Sequence, residues 1–258
     1  MYRVCLTNDD GPLSDAMLSL ADALKEEVDL FVVVPDGQRS ATGKALTLKR
    51  PIRITEKHKR RGYSFVAHDG APADSVILAE AFYEKLDLVV SGINTGANVG
   101  YQSMLTSGTV GAAMEAALRG IPAIAVSQQA RPHEWFHTTG NNPCFETVCK
   151  VTKQLIMKVL KEGMPERVSV LNLNFPSHVD DDSDLVIVKP TMIRMYNEVE
   201  ERMDPNGRPY YWYIAHECKP PEKTDAYEVL VRQNIALTPI VIDSITADDI
   251  RRLEEFMA

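Results

Sequence analysis

A chain of 258 residues, 45% hydrophobic and 25% charged, has room for one substantial α/β domain with appendages or for two small domains, and its composition is that of a globular protein. The net charge of −8 argues against broad, stable polynucleotide binding and leaves room only for a local cluster that holds a small phosphorylated ligand. No apolar run is long enough to cross a bilayer, and no basic and apolar leader precedes the first strand, so a cytoplasmic protein is expected.

In chain order, the apolar run Tyr2 to Leu6 reads as a strand that ends in Thr7-Asn8-Asp9-Asp10-Gly11. Carboxylates there sit at the carboxyl end of a strand, where open α/β sheets bind ligands. Two adjacent ionised acids repel unless a cation, a shared proton or full solvation relieves them, so the stretch is either half of a metal site or a solvated turn. Asp15 to Glu27 has the periodicity of an amphipathic helix, and Asp29 to Pro35 is a buried strand followed by the polar loop Asp36 to Lys44. Two short strands, Ile52 to Thr55 and Tyr63 to Ala67, are expected as an excursion from the main sheet, with the basic run Lys57 to Gly62 as their solvated turn. Ala73 to Tyr83 reads as a helix opened by Pro72, and Leu86 to Gly92 as another buried strand running into the glycine- and asparagine-rich loop Ile93 to Gly100. Ser107-Gly108-Thr109 opens a helix over Val110 to Leu118. Hydroxyls and free N–H groups at a helix start suit either a phosphate or plain capping.

Further on, Ala123 to Ser127 is a short strand, and Gln128 to Pro143, with His133, Trp135, Phe136 and His137, reads as a lid or a subunit contact. Metal binding by the two histidines is disfavoured because no acid partner stands at suitable spacing. Phe145 to Leu160 is expected as a helix and Val168 to Asn174 as the last core strand. Asp204-Pro205-Asn206-Gly207 signals a hairpin between Tyr196 to Met203 and Tyr210 to Ile214, its tip carrying Tyr210, Tyr211, Trp212 and Tyr213 as a subunit-contacting arm. Ala247 to Met257 reads as a terminal helix. The four cysteines, Cys5, Cys144, Cys149 and Cys218, form no CxxC pair and are expected to be reduced and structural.

The alternation predicts a Rossmann-like, doubly wound, mostly parallel sheet over residues 1–190, followed by a hairpin arm and oligomerisation segment over 191–258. Three loops then carry oxygen donors at strand ends: Asp9 and Asp10, Ser40, and Asn94 with Asn98. Carboxylates, a hydroxyl and an amide carbonyl suit a hard cation such as Mg²⁺ or Mn²⁺. A cation beside the Ser107 to Thr109 helix start is the minimum equipment for phosphoester hydrolysis.

Thr7-Asn8-Asp9-Asp10-Gly11, Arg39-Ser40-Ala41-Thr42-Gly43 after Pro35, Pro72-Ala73-Asp74, Ser91 to Asn98 and Ser107-Gly108-Thr109-Val110 occur in the order and approximate spacing of one family. The chain resembles the SurE (survival protein E) family of metal-dependent 5′/3′-nucleotidases over almost its whole length. The resemblance implies one divalent cation per subunit, Mg²⁺ or Mn²⁺, held by Asp9, Asp10, Ser40 and Asn94. It also implies a phosphate pocket lined by Asn8, Asn98, Ser107, Gly108 and Thr109, with Asp9, Asp10 and Asn8 as catalytic residues. The implied substrates are nucleoside 5′- or 3′-monophosphates, with short polyphosphate cleaved by some relatives. The implied assembly is a homodimer or homotetramer joined by the hairpin and the terminal helix. The chain departs from the family pattern at Ser75, where cysteine is usual, at Thr106, where an aromatic or histidine is usual, and at Arg232 to Ile235, which lacks Glu-Gly-Tyr. The segment from Asn98 to Ser107 is also one residue longer than usual.

The expected chemistry is attack by a metal-activated water, with direct attack by Asp9 or Asp10 as the alternative. No histidine stands out as a general acid, and His68, beside the Asp69-Gly70 turn, reads as a surface residue. The rival function is a nucleotide-binding sensor without turnover. A Rossmann dehydrogenase is disfavoured because the first turn lacks GxGxxG and places acids where a pyrophosphate would sit.

Overall fold

Uninterrupted runs such as Leu30 to Val34 form strands where both faces of a sheet are covered. The computed structural model describes residues 1–60, 62–130, 144–180, 183–192, 196–215 and 219–258. The chain runs β1 (Arg3–Thr7), α1 (Asp15–Leu24), β2 (Asp29–Pro35), β3 (Ile54–Arg60), β4 (Tyr63–His68), α2 (Pro72–Tyr83), β5 (Leu88–Thr95), α3 (Gly100–Thr106), α4 (Gly108–Leu118) and β6 (Ala123–Gln128). It continues with α5 (Cys144–Glu162), β7 (Val170–Phe175), β8 (Leu185–Ile187), β9 (Tyr196–Met203), β10 (Pro209–Ala215), α6 (Asp225–Tyr227, prolonged by a π-helical turn at Glu228–Arg232), β11 (Ile235–Ile240) and α7 (Ala247–Met257). No described helix is long and apolar enough to cross a membrane.

Among the described residues the main sheet has nine strands in the order β3-β4-β2-β1-β5-β6-β7-β11-β8. From β4 to β7 every neighbouring pair is parallel, whereas β3 and β11 lie antiparallel to β4 and β7. Alternate residues of one strand feed opposite layers. Val4 and Leu6 pack with Met17, Leu20 and Leu24 of α1 and Ile156 of α5, while Cys5 packs with Val76 of α2 and Val110 and Ala113 of α4. At roughly 1.5–3 kcal/mol for each fully buried large aliphatic side chain, these two layers hold the sheet. The chain leaves β1 towards β2 and β4 on one side, then returns to β5, β6 and β7 on the other. The carboxyl ends of β1 and β5 are therefore the point where the strand order reverses, which is where open sheets of this kind bind ligands.

Several expectations need correction. Neither short strand is an excursion: β4 pairs in parallel with β2, and β3 is the sheet edge. Lys57 to Lys59 lie within β3, where charges on an exposed edge oppose strand-to-strand aggregation. The loop expected over Ile93 to Gly100 ends in a helix, α3, that runs on through residues 101–106, to which the sequence assigned no element. Val168 to Asn174 does not supply the last core strand, because β11 pairs with β7 and carries β8 beyond it. Tyr210 to Tyr213 run along β10 rather than at the hairpin tip, which is closed by Asp204 accepting from Asn206 N and Arg208 N, both at 2.8 Å. The hairpin pairs only with itself, in a sheet separate from the main one. Cys5 and Cys149 are free and buried, and burial pushes both thiols up to about 12. The stretch 131–143, with His133 and His137, lies outside the described residues, as does Cys218.

His68 is also not a surface residue; it is fully buried at the end of β4. Gly70 N donates to its Nδ1 at 3.0 Å, so the ring proton sits on Nε2 and is donated to Ser75 Oγ at 2.7 Å. The neutral ring thereby fixes the turn into α2. Burial lowers its pKa from 6.5 to about 4, overriding the opposing charges of Asp74, Asp36 and Asp69, with Arg39 acting in the same direction as burial. A depressed value of this kind contributes stability above pH 6.5 that is lost as pH falls towards about 4, at most about 3 kcal/mol. The wild-type denaturation midpoint is therefore expected to fall between about pH 7 and about pH 4.5 more steeply than that of His68→Asn, which is less stable at neutrality but lacks this limb. Equal slopes in the two proteins would contradict the neutral, buried ring.

Candidate active site at the sheet's reversal point

Asn8 shapes the first loop. Its Nδ2 donates to Gly11 O at 2.9 Å and its Oδ1 accepts from Gly11 N at 3.1 Å, closing a turn that presents the next two side chains upward from β1. Asp9 is buried and points at the start of α4: its Oδ1 accepts from Thr109 Oγ1, and the backbone N–H groups of Gly108 and Thr109 also bond to it. A Cβ at residue 108 would lie 2.9 Å from Asp9 Cβ and 3.0 Å from Pro72 Cγ, so only glycine lets the α4 and α2 starts close on this carboxylate. Ser107 caps α4, its Oγ accepting from Val110 N at 3.2 Å. Asp10 turns the other way, its Oδ2 accepting from Thr95 N of β5 at 3.0 Å.

Burial raises the pKa of Asp9 above its ordinary value despite the Thr109 and Gly108 hydrogen bonds. Asp10 is pushed up to about 6, first by burial and then by the charge of Asp9. Among the described residues no lysine, arginine or histidine forms an ion pair with either carboxylate. The pair thus lacks the positive charge that its position calls for.

The other two loops reach this pair through their backbones. Arg39 N donates to Asp9 O at 2.7 Å, which sets the neighbouring Ser40 beside the first loop. Ser40 itself is exposed and accepts from Gln38 Nε2 at 3.0 Å. Asn94 precedes the Thr95 that bonds Asp10; its Nδ2 donates to Gly96 O at 2.6 Å, and no described residue donates to its Oδ1. Neither Ser40 nor Asn94 is hydrogen-bonded to the aspartates: the Asn94 Nδ2 is turned to Gly96 O and the Ser40 Oγ to Gln38, which leaves oxygen lone pairs of both free for another partner.

Asn98 lies deeper. Its N donates to Asn174 Oδ1 at 2.8 Å, its Nδ2 to Ser127 Oγ at 2.8 Å, and its O accepts from Asn172 Nδ2 at 3.0 Å. The loop after β5 is in fact pinned at alternate residues across the sheet. Gly96 N reaches Gln128 O of β6 at 2.7 Å, Asn98 reaches β7, and Gly100 N reaches Asp225 Oδ2 at 2.6 Å. Asp225 is buried and also accepts from Thr191 N and Ala226 N. Sequence reasoning missed Ser127, Asn172, Asn174 and Asp225; the one available signal was the pair of asparagines at i, i+2 in the otherwise apolar β7.

Two carboxylates, a hydroxyl and a free amide oxygen fit a hard divalent cation by donor chemistry, and the uncompensated buried charge of Asp9 and Asp10 fits it electrostatically. No group of three or more histidines, cysteines or acids converges among the described residues, so a zinc-type cluster is not present there.

A family model described as Survival protein SurE matches residues 4–198. The chain is 38% identical to 5′-nucleotidase SurE of Thermococcus gammatolerans, covering 99% of this chain and 96% of that one. It is 41% identical to 5′-nucleotidase SurE of Methanothermobacter thermautotrophicus over 81% of each. The crystal structure of the SurE protein from Aquifex aeolicus superposes with a TM-score of 0.79 at 32% identity, covering 99% of this chain and 100% of that one. With a family model matched over residues 4–198 and relatives 38% and 41% identical over most of their length, the chain belongs to the SurE family.

Proposed function

We propose that the protein is a divalent-cation-dependent phosphomonoesterase that hydrolyses nucleoside 5′-monophosphates, and 3′-monophosphates as alternative substrates, to nucleoside and phosphate. The observation that carries this reading is the pair formed by a buried Asp9, in contact with the N-terminus of α4, and a half-buried Asp10, neither neutralised by any described cationic side chain. The relatives named 5′-nucleotidase SurE support the choice of substrate class.

Asp9, Asp10, Ser40 and Asn94 would hold Mg²⁺ or Mn²⁺. Such an ion supplies Lewis acidity towards a phosphoryl oxygen and lowers the pKa of water. The α4 start would face the phosphoryl group, its dipole favouring negative charge, while the N–H groups of Gly108 and Thr109 and the hydroxyl of Thr109 orient Asp9. Asn98, held by Ser127, Asn172 and Asn174, would complete the phosphate pocket. Water is the nucleophile, because the Asp9 carboxylate is already engaged with Thr109 and Gly108 and would have to leave both to attack phosphorus.

The arms of the fold support self-association. No residue of α7 is buried, and Ile250, Leu253 and Phe256 stand exposed on it, Phe256 by 82%. A lone two-stranded hairpin with Tyr211, Trp212 and Tyr213 exposed is marginal without a partner. We propose a homodimer or larger homo-oligomer that covers both elements.

Three outcomes test these readings. Phosphate release from AMP, GMP, 3′-AMP and short polyphosphate is expected with Mn²⁺ or Mg²⁺ and to vanish with EDTA. Asp9→Asn and Asp10→Asn should each lose at least about a hundred-fold in cation affinity and rate. Binding of nucleotide without release under any metal would favour a sensor instead. In ¹⁸O-labelled water a single turnover should put label in the first phosphate released, whereas label in an aspartate of the protein would show carboxylate attack. Light scattering should give a dimer or tetramer that Trp212→Glu combined with Phe256→Glu shifts to monomer; an unchanged mass would remove these arms from the interface.

A further inference from the structure

The loop that carries Ser40 crosses the starts of α4 and α2 with little structure of its own. It contains two left-handed residues, Ala41 at φ 58° and Gly43 at φ 55°. For alanine that conformation costs roughly 1–2 kcal/mol and persists only where the surroundings over-determine it. Four contacts do so. Arg39 N donates to Asp9 O at 2.7 Å, Gly43 N to Thr106 O at 2.7 Å, and Thr47 N to both oxygens of Asp74, at 3.1 and 3.2 Å. The fourth is an ion pair between Lys44 Nζ and Glu115 Oε2 at 2.6 Å.

That pair belongs to a shaped seat on α4. Gly111 and Glu115 lie one turn apart on the same face. A Cβ at residue 111 would meet Gly43 O at 2.4 Å and Lys44 N at 2.8 Å, so the helix admits the loop at Gly111 and grips it one turn later. Glu115 is buried within a helix otherwise built mainly of alanine, glycine and other small or apolar residues. Besides Lys44 it meets Arg119 Nη1 at 3.4 Å, and Arg119 bonds Glu80 of α2 through Nε. The chain Lys44, Glu115, Arg119, Glu80 therefore ties the loop to both helices whose starts close on Asp9. A buried ion pair is a poor way to add stability, since apolar residues of similar volume do as well or better, but it fixes one register and no other.

We propose that Lys44 and Glu115 are a positioning pair that holds the Ser40 loop in the geometry needed to complete the cation site. This rests on the reading of Ser40 as a cation ligand, and the experiment separates the two.

Hydrogen exchange over residues 39–47 is measured on the cation-free full chain, and Mn²⁺ affinity by calorimetry, for wild type, Ser40→Ala, Lys44→Met, Lys44→Arg and Glu115→Gln. Lys44 is partly exposed, so Lys44→Met tests the idea even if Glu115→Gln fails to fold. Lys44→Met is expected to speed exchange over 39–47 while the central strands keep theirs, and to weaken Mn²⁺ binding about ten-fold, with Lys44→Arg restoring both. Ser40→Ala is expected to weaken Mn²⁺ binding at least as much while leaving exchange unchanged. Wild-type exchange in Lys44→Met overturns the clamp. Wild-type Mn²⁺ affinity in Lys44→Met, with affinity lost in Ser40→Ala, overturns its role towards the cation. Wild-type affinity in Ser40→Ala overturns the ligand assignment, and with it any role of the pair at the site.

Discussion

Two carboxylates side by side at the end of β1, Asp9 buried and Asp10 half-buried, without a basic partner among the described residues, are the constraint to which the rest of the site responds. Burial raises the pKa of both, the charge of Asp9 adds to it at Asp10, and Asp10 rises to about 6. The fold turns them apart: Asp9 towards the N–H groups of α4, Asp10 towards the N–H of Thr95. Both directions are available only because β1 lies between β2 and β5 at the reversal of the strand order, with helix starts on one side and the β5 loop on the other. A strand elsewhere in the sheet would have one of these neighbours but not both. The position of the acids and the topology of the sheet are thus one fact seen from two scales.

The surrounding loops are held by different physics, in keeping with what each presents. The β5 loop crosses buried ground, where an unpaired backbone group is costly, and it is satisfied by buried side chains: Asn174 of β7 for Asn98, Asp225 of α6 for Gly100. The Ser40 loop lies at the surface and is held by one ion pair, two backbone hydrogen bonds and the carboxylate of Asp74. His68 adds a third kind of support, a neutral ring that fixes the entry to α2 by donating from one nitrogen and accepting at the other. Each device fixes the position of a loop or a helix start around the carboxylate pair. Such rigidity is what a site needs if its geometry is to pre-exist its ligand.

The C-terminal third is organised by the same rule of covering apolar surface, incompletely within one chain. Its strand β11 joins the main sheet through β7, where Thr238 and Pro239 pair with Asn172 and Leu171. Proline is tolerated there close to the sheet's far edge. By contrast α7 and the hairpin leave their apolar residues outside, so the forces that shape the core do not account for their order. A segment can be predicted as helix or hairpin from capping and turn residues alone, as Thr246 with Asp249 and Asp204 with Gly207 do here, without any indication of what it rests against.

What could be read from the sequence follows from how far each signal travels along the chain. Strand runs such as Leu30 to Val34, the Asn206-Gly207 turn and the Ser107 cap act within a few residues, and they were legible. The donors Asp9, Asp10, Ser40 and Asn94 were legible because each stands at or soon after the carboxyl end of a strand, and strands that are neighbours bring such ends to one edge of the sheet. Elements whose identity depends on distant partners were not. Residues 101–106 show little apolar periodicity and carried no predicted element, yet they form α3, whose first residue, Gly100, is anchored through its N–H to Asp225, 125 residues away. His68 looks like a polar residue at a turn and is buried because α2 folds back over it through Ser75. Lys57 to Lys59 look like turn residues and are strand because β4 pairs with β2, which leaves β3 as the edge. Polar residues inside apolar strands are the exception that could have been used. Asn172 and Asn174 share a face, and two amides on one face of a buried strand demand polar partners. The nearest backbone that lacks its own secondary-structure partners is the loop after β5, to which they donate and from which they accept.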